Sequence, residues 1–125
     1  MINKNILNTC HTAGFSESDI YGAYKIFFST LVSYPRLRII NLLRKGRKNV
    51  YEICSELKIG QTAISHNLAR LRACGFVSSD VEGKFRYYRL NDKTIKPLIN
   101  IIDEHMAQYC IHILHNLNDV AEKNG

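Results

Sequence analysis

Apolar residues recur with a helical period in five stretches of this chain and read as strands in two. Ile20, Tyr24, Phe27, Phe28 and Leu31 stand at i, i+4, i+7, i+8 and i+11, a wide apolar helical face. Ser16 or Ser18 can cap its start, and it ends near Ser33. Pro35 suits the first turn of a second helix, whose face is Leu37, Ile40 and Leu43 and whose stop is Gly46. Val50, Ile53, Cys54 and Leu57 form a shorter third stripe. Lys58-Ile59-Gly60 then leads into a fourth helix, with Ile64, Leu68 and Leu71 on its inner side and Gly75 at its end. A short helix, a tight glycine-containing turn and a second helix make a helix-turn-helix pattern.

Phe76 to Val81 and Lys84 to Leu90 read as two strands joined by a Glu82-Gly83 turn, the second rich in strand-favouring aromatics. A last long helix is predicted from Asn91 or Asp92 to about Asn118, with Pro97 limiting how early its regular hydrogen bonding begins. Its apolar face is Ile95, Leu98, Ile99, Ile102, Met106, Tyr109, Ile113 and Leu117. Residues 1–17 are polar without a sustained period and are expected to form a flexible arm; 119–125 are expected to be a tail. The fold class expected for 18–118 is mainly α with a small β-hairpin, a winged helix-turn-helix. Its first and last helices carry more apolar surface than so small a module can cover. Pairing of two copies through them would bury it.

Charge sharpens this picture. The chain carries +6 overall, but Arg36 to Arg89 holds 12 Lys/Arg against 4 Asp/Glu, and the rest is net acidic. The positive charge therefore belongs to the central module, as suits a polyanionic partner. On the fourth helix Thr62, His66 and Ala69 point away from the apolar stripe, flanked by Ser65 and Arg70, and no acidic residue lies between Ile59 and Gly75. Such a face fits the DNA major groove, which admits one α-helix and presents hydrogen-bonding base edges. Lys84 and Arg86 near the hairpin tip would reach phosphates or the adjacent minor groove. A plain amphipathic surface helix and a structural hairpin are the competing readings, and neither calls for that charge distribution.

The segments PRLRIINLL (Pro35 to Leu43), GQTAISHNLARLRACGFV (Gly60 to Val77) and EGKFRYYRLND (Glu82 to Asp92) resemble the ArsR/SmtB family of winged-helix repressors. The resemblance spans roughly 20 to 117 and implies a homodimer that binds a palindromic operator in double-stranded DNA. The family's recognition-helix pattern falls on Gln61, Ser65 and His66, and its wing on Lys84 and Arg86. Thr62 and Arg70 join them from helical geometry alone.

Members of that family usually release DNA when a metal or an oxidant binds, and here the chain departs from the known patterns. The Cys-x-Cys of the arsenic and cadmium sensors is replaced by Ile53 and Ser55 around Cys54. The zinc-sensor pattern of the last helix matches at Asp92 and His105 and fails at Thr94 and Gln108. The cysteine that persulfide sensors place in the second helix is Asn41 here. His105, His112 and His115 still share one helix edge, and with Asp92, Cys10 or His11 they are candidate ligands for Zn²⁺ or Ni²⁺. Cys74 and Cys110 are candidate redox thiols. Hydrated edge histidines and packed thiols are the bland alternatives.

With no CxxC, no long apolar leader and no apolar run near 18 residues, a cytoplasmic protein with reduced thiols is expected. No phosphate-binding glycine loop, HExxH or nucleophile-base motif points to an enzyme. An aromatic platform for single-stranded RNA is not evident. The alternatives to an effector-released repressor are a winged-helix regulator without a metal effector and an interaction module that has lost DNA binding.

Overall fold

The computed structural model describes the backbone of residues 1–124 and the side chains of residues 1–117. The expected polar arm contains a helix, α1 (Lys4–Thr12), whose first turn is capped by Asn3 accepting from the Asn5 amide at 2.8 Å. Ile2, Ile6 and Cys10 do repeat every four residues, but so thin a stripe is stable only because α1 packs on α2.

Helix α2 (Glu17–Leu31) starts at a capping box. Ser16 Oγ accepts from the Asp19 amide, while the Asp19 carboxylate accepts from the Ser16 amide at 2.8 Å. These bonds hold the Asp19 carboxyl below its ordinary value, the backbone bond first and the Ser16 hydroxyl second. Helix α3 (Tyr34–Leu43) is capped by Ser33 and carries Pro35 in its first turn, as its sequence predicts.

A two-residue strand, β1 (Lys48–Asn49), precedes α4 (Val50–Leu57) and has no signature in the hydropathy pattern. Asn49 and Glu52 form a second capping box. The turn into α5 (Gln61–Ala73) is Lys58-Ile59-Gly60, and Lys58 takes a left-handed φ of 58° to end α4. Strands β2 (Val77–Glu82) and β3 (Phe85–Leu90) form the hairpin, and β1 adds to the other edge of β3, giving the order β1-β3-β2. Glu82 pairs with Phe85, so the turn is Gly83-Lys84, one residue later than expected. Gly83 has φ +62° at the first central position, where a type II′ turn requires glycine.

The last helix begins later than predicted, at α6 (Ile95–His105). Asn91 does not cap it. Its Oδ1 instead accepts from the amides of Lys93 and Thr94, and its Nδ2 donates to the Gly75 carbonyl. A π-helical turn at Met106–Cys110 then separates α6 from α7 (Ile111–Asn124), which runs through most of the expected tail. Gly125 lies outside the described residues.

One core joins these elements: Ile39, Ile40, Leu43, Ile53, Leu57, Ile64, Leu68, Leu71, Phe76, Leu90, Ile95 and Ile99 are all buried. Ile64, Leu68 and Leu71 are fully buried, each contributing about 1.5–3 kcal/mol, so the rotational setting of α5 is fixed. Phe27 of α2 packs its ring on Phe76, with centroids 5.0 Å apart. The apolar residues of the final helix divide sharply. Ile95 and Ile99 are in the core, whereas Met106, Tyr109, Ile113 and Leu117 are exposed.

Candidate nucleic-acid interface

Because Ile64, Leu68 and Leu71 face inward, Gln61, Thr62, Ser65 and His66 are all exposed on the opposite side of α5. The structure thus brings the sequence-predicted polar face together on one helix. The inner side is pinned by polar contacts as well as by packing. Thr30 of α2 is wholly buried, and its hydroxyl donates to the Ile26 carbonyl at 2.8 Å. The same oxygen accepts from Arg70 Nε at 3.2 Å and lies 3.4 Å from Cys74 Sγ. Since the one hydroxyl proton is used on Ile26, the Cys74 thiol is the donor in that contact. Arg36 donates through Nε to the Thr30 carbonyl and through Nη1 to Asn67 on α5. Arg70 therefore has a structural role that its position on the helix wheel did not reveal. Its Nη groups have no hydrogen-bond partner among the described residues and stay available on the outside.

Four of the twelve cations of the basic segment are paired with carboxylates among the described residues. Arg44 pairs with Asp103, Arg47 with Glu82, Lys48 with Glu56 and Arg89 with Asp80. Among the described residues Lys58, Arg72 and Lys84 form no ion pair, nor do Arg70 and Arg86. Arg86 donates only to the Ser79 hydroxyl, at 3.1 Å. Cations without a carboxylate partner thus lie on the helix-turn-helix and the wing, and also at Arg36, Arg38 and Lys45 in and after α3. At the back of the wing Arg47 reaches Glu82, which raises the guanidinium pKa further. It also stacks over the Tyr87 ring at 4.4 Å. Arg47 and Thr30 are missing from the sequence-derived set, because nothing in their local pattern signals a contact with a residue dozens of positions away.

The candidate effector residues do not converge within one chain among the described residues. Among the described residues no group of three or more His, Cys, Asp or Glu side chains is placed to hold a metal ion, so Asp92, His105, His112 and His115 form no site within one chain. His105 and His115 lie about 15 Å apart along a helix, too far for one ion, and a π-helical turn intervenes between them. Each residue added to a helical turn rotates everything after it by about 100°. His105 and the pair His112 and His115 therefore leave the common edge that an unbroken α-helix would give them. His105 packs instead on the Tyr109 ring, 4.9 Å between centroids. Cys74 and Cys110 are separate half-buried free thiols, as are Cys10 and Cys54.

A three-helix module with the second helix of a helix-turn-helix exposed, followed by a cation-tipped hairpin, defines a winged helix-turn-helix protein. Residues 35–79 match the family model described as bacterial regulatory protein, arsR family. The chain is 39% identical over 70 residues to the uncharacterized HTH-type transcriptional regulator MJ1325 of Methanocaldococcus jannaschii, covering 55% of this chain and 79% of that one. It is 36% identical to the arsenical resistance operon repressor of Escherichia coli, covering 62% of this chain and 67% of that repressor. The crystal structure of Rv0081 from M. tuberculosis superposes with a TM-score of 0.71 at 25% identity, over 76% of this chain and 96% of that one. The chain belongs to the arsR family of bacterial transcriptional regulators. No helix among the described residues is long and apolar enough to cross a membrane.

Proposed function

We propose that the protein is a cytoplasmic, non-enzymatic transcriptional repressor that binds a palindromic operator as a homodimer. The observation that carries this reading is the exposed, carboxylate-free face of α5, Gln61, Thr62, Ser65, His66 and Arg70, followed by a wing tip bearing exposed Lys84 and Arg86. Arg70, Arg72, Lys84 and Arg86 have no carboxylate partner among the described residues, whereas Arg44, Arg47, Lys48 and Arg89 do. Gln61 and His66 hydrogen-bond base edges in the major groove, with Thr62 and Ser65 beside them. Arg70, Lys84 and Arg86 contact phosphates and set the register. Exposed apolar residues on α2 and on the last helix, Tyr21, Phe28, Tyr109 and Ile113 among them, support the dimer. Two α5 helices related by its two-fold axis enter successive major grooves about 34–36 Å apart.

A gel shift tests this reading, with duplex from the protein's own promoter region set against random duplex and single-stranded RNA. Preferential retardation of the promoter duplex is expected. Equal binding to all three, or to none, overturns the proposal.

A further inference from the structure

Between the first turn of α4, the start of α5 and the wing tip lies a cleft of about 330 Å³, at the lower end of ligand-sized cavities. Its apolar lining is Val50, Tyr51, Cys54 and Phe85, and no carboxylate borders it. Tyr51 is 77% exposed and Phe85 48% exposed, so two aromatic rings face solvent at one place. Lys84, Arg86 and Gln61 also line the cleft, and neither cation has a carboxylate partner among the described residues.

Asn49 borders the same cleft. It is only 7% exposed, and its Oδ1 is committed to the Glu52 amide as a helix cap. Its Nδ2 has no acceptor within reach among the described residues. Yet no buried side-chain nitrogen or oxygen there lacks a partner. The Nδ2 is therefore not sealed from solvent, and Asn49 lines this cleft.

From this arrangement we infer that the cleft binds a small planar aromatic carboxylate, and that the ligand and DNA exclude each other. The ring lies on the apolar and aromatic lining, and the carboxylate accepts from Asn49 Nδ2 and pairs with Lys84 or Arg86. A DNA phosphodiester satisfies the cations but offers nothing to Val50, Tyr51 and Phe85. Competition follows because Gln61, Lys84 and Arg86 serve both partners. Only this competition rests on the proposed DNA binding; the site itself does not.

The test titrates the full-length protein with benzoate and follows the ring resonances of Tyr51 and Phe85 by NMR, with benzamide and cyclohexanecarboxylate as controls. Benzoate is expected to bind with Kd on the order of 0.1–1 mM and to shift both rings. Each control, lacking charge or flatness, is expected to bind about tenfold more weakly. Asn49→Asp keeps the cap oxygen but replaces the donor with a negative charge, and should abolish binding. Tyr51→Ala, at an exposed position, should weaken it about tenfold even if Asn49→Asp fails to fold. Saturating promoter duplex should displace benzoate. Wild-type affinity in either variant, binding that leaves the two rings unshifted, or benzoate bound equally with and without duplex overturns the inference. If benzoate binds the cleft and no duplex binds at all, the ligand site stands and the DNA-binding proposal fails instead.

Discussion

Arg70 of α5 donates its Nε hydrogen to the hydroxyl of Thr30 in α2, 3.2 Å away, and Thr30 has no exposure to solvent. A side chain on the proposed DNA-reading helix is thus tied to a buried hydroxyl on the helix proposed to dimerise. Thr30→Val preserves shape and removes the hydroxyl. The Cys74 thiol then loses its acceptor, and Arg70 loses the bond that orients its guanidinium. Unfolding in urea should show a loss of about 1–2 kcal/mol with an unchanged m value. A stability equal to wild type would show that the network contributes nothing net.

The wing prediction concerns charge alone. Lys84 and Arg86 sit at and beside the Gly83-Lys84 turn, exposed and without carboxylate partners among the described residues. Replacing both with Ala should weaken binding to specific and random duplex alike. It should also reduce the slope of log K against log salt by about 2, close to one per lost phosphate contact. An unchanged slope, measured by fluorescence anisotropy across salt concentrations, would remove the wing from the interface.

Arg47 acts at one remove from DNA. It lies over Tyr87 and pairs with Glu82, so it spans the outer face of the hairpin from the loop before β1. Exposed ion pairs are individually weak, so Arg47→Ala should leave global stability close to wild type. Hydrogen exchange of the β2 and β3 amides should nevertheless quicken, because the brace on the turn end is gone. Unaltered exchange in the hairpin would mean the turn and the ladder suffice to hold it.

The sequence reveals elements whose cause is local. The stripe Ile64, Leu68, Leu71 orients α5, Pro35 starts α3, and Gly75 ends α5 with φ +75°. It conceals what depends on distant partners. Strand β1 is two residues long and exists because β3 offers it an edge. Helix α1 is held by α2. The π-helical turn at Met106–Cys110 has no compositional marker, and it dismantles the histidine edge that the heptad-like spacing suggests. The polar face of α5 was legible because exposure follows from periodicity. Thr30, Arg47 and Asn49 were not, because their roles arise from contacts or cavities assembled by several elements.

The cap of α2 makes stability depend on acid. Asp19 accepts from the Ser16 amide and hydroxyl, and its pKa is lowered from the ordinary 3.8. A carboxyl whose folded pKa lies below its unfolded one stabilises the fold above the unfolded value. That contribution disappears as pH falls through the folded pKa. Asp19→Asn should therefore lower Tm at pH 7 and make little difference at pH 2, with the two curves converging below about pH 4. A constant Tm difference across that range would show that the charge on Asp19 is not what caps the helix.

The dimer prediction follows from apolar surface with nothing on it. Met106, Tyr109, Ile113 and Leu117 are between 46% and 60% exposed on the last helix. An apolar groove of about 270 Å³ between α1 and α2 is lined by the exposed Ile6, Tyr24 and Phe28 over the buried Ile20. A lone soluble chain rarely leaves so many large apolar side chains in water, and a second copy supplies both surfaces at once. Ile113→Glu places a charge in the middle of the helix surface without touching the core, since Ile113 makes no part of it. The monomer should stay folded by circular dichroism while sedimentation shows one chain where the wild type shows two. Affinity for a full palindrome should fall by at least about tenfold, because the second recognition helix no longer arrives with the first. Affinity for a single half-site should change little, which separates lost pairing from a damaged reading surface. A variant that still sediments as a dimer would move the interface elsewhere on the chain.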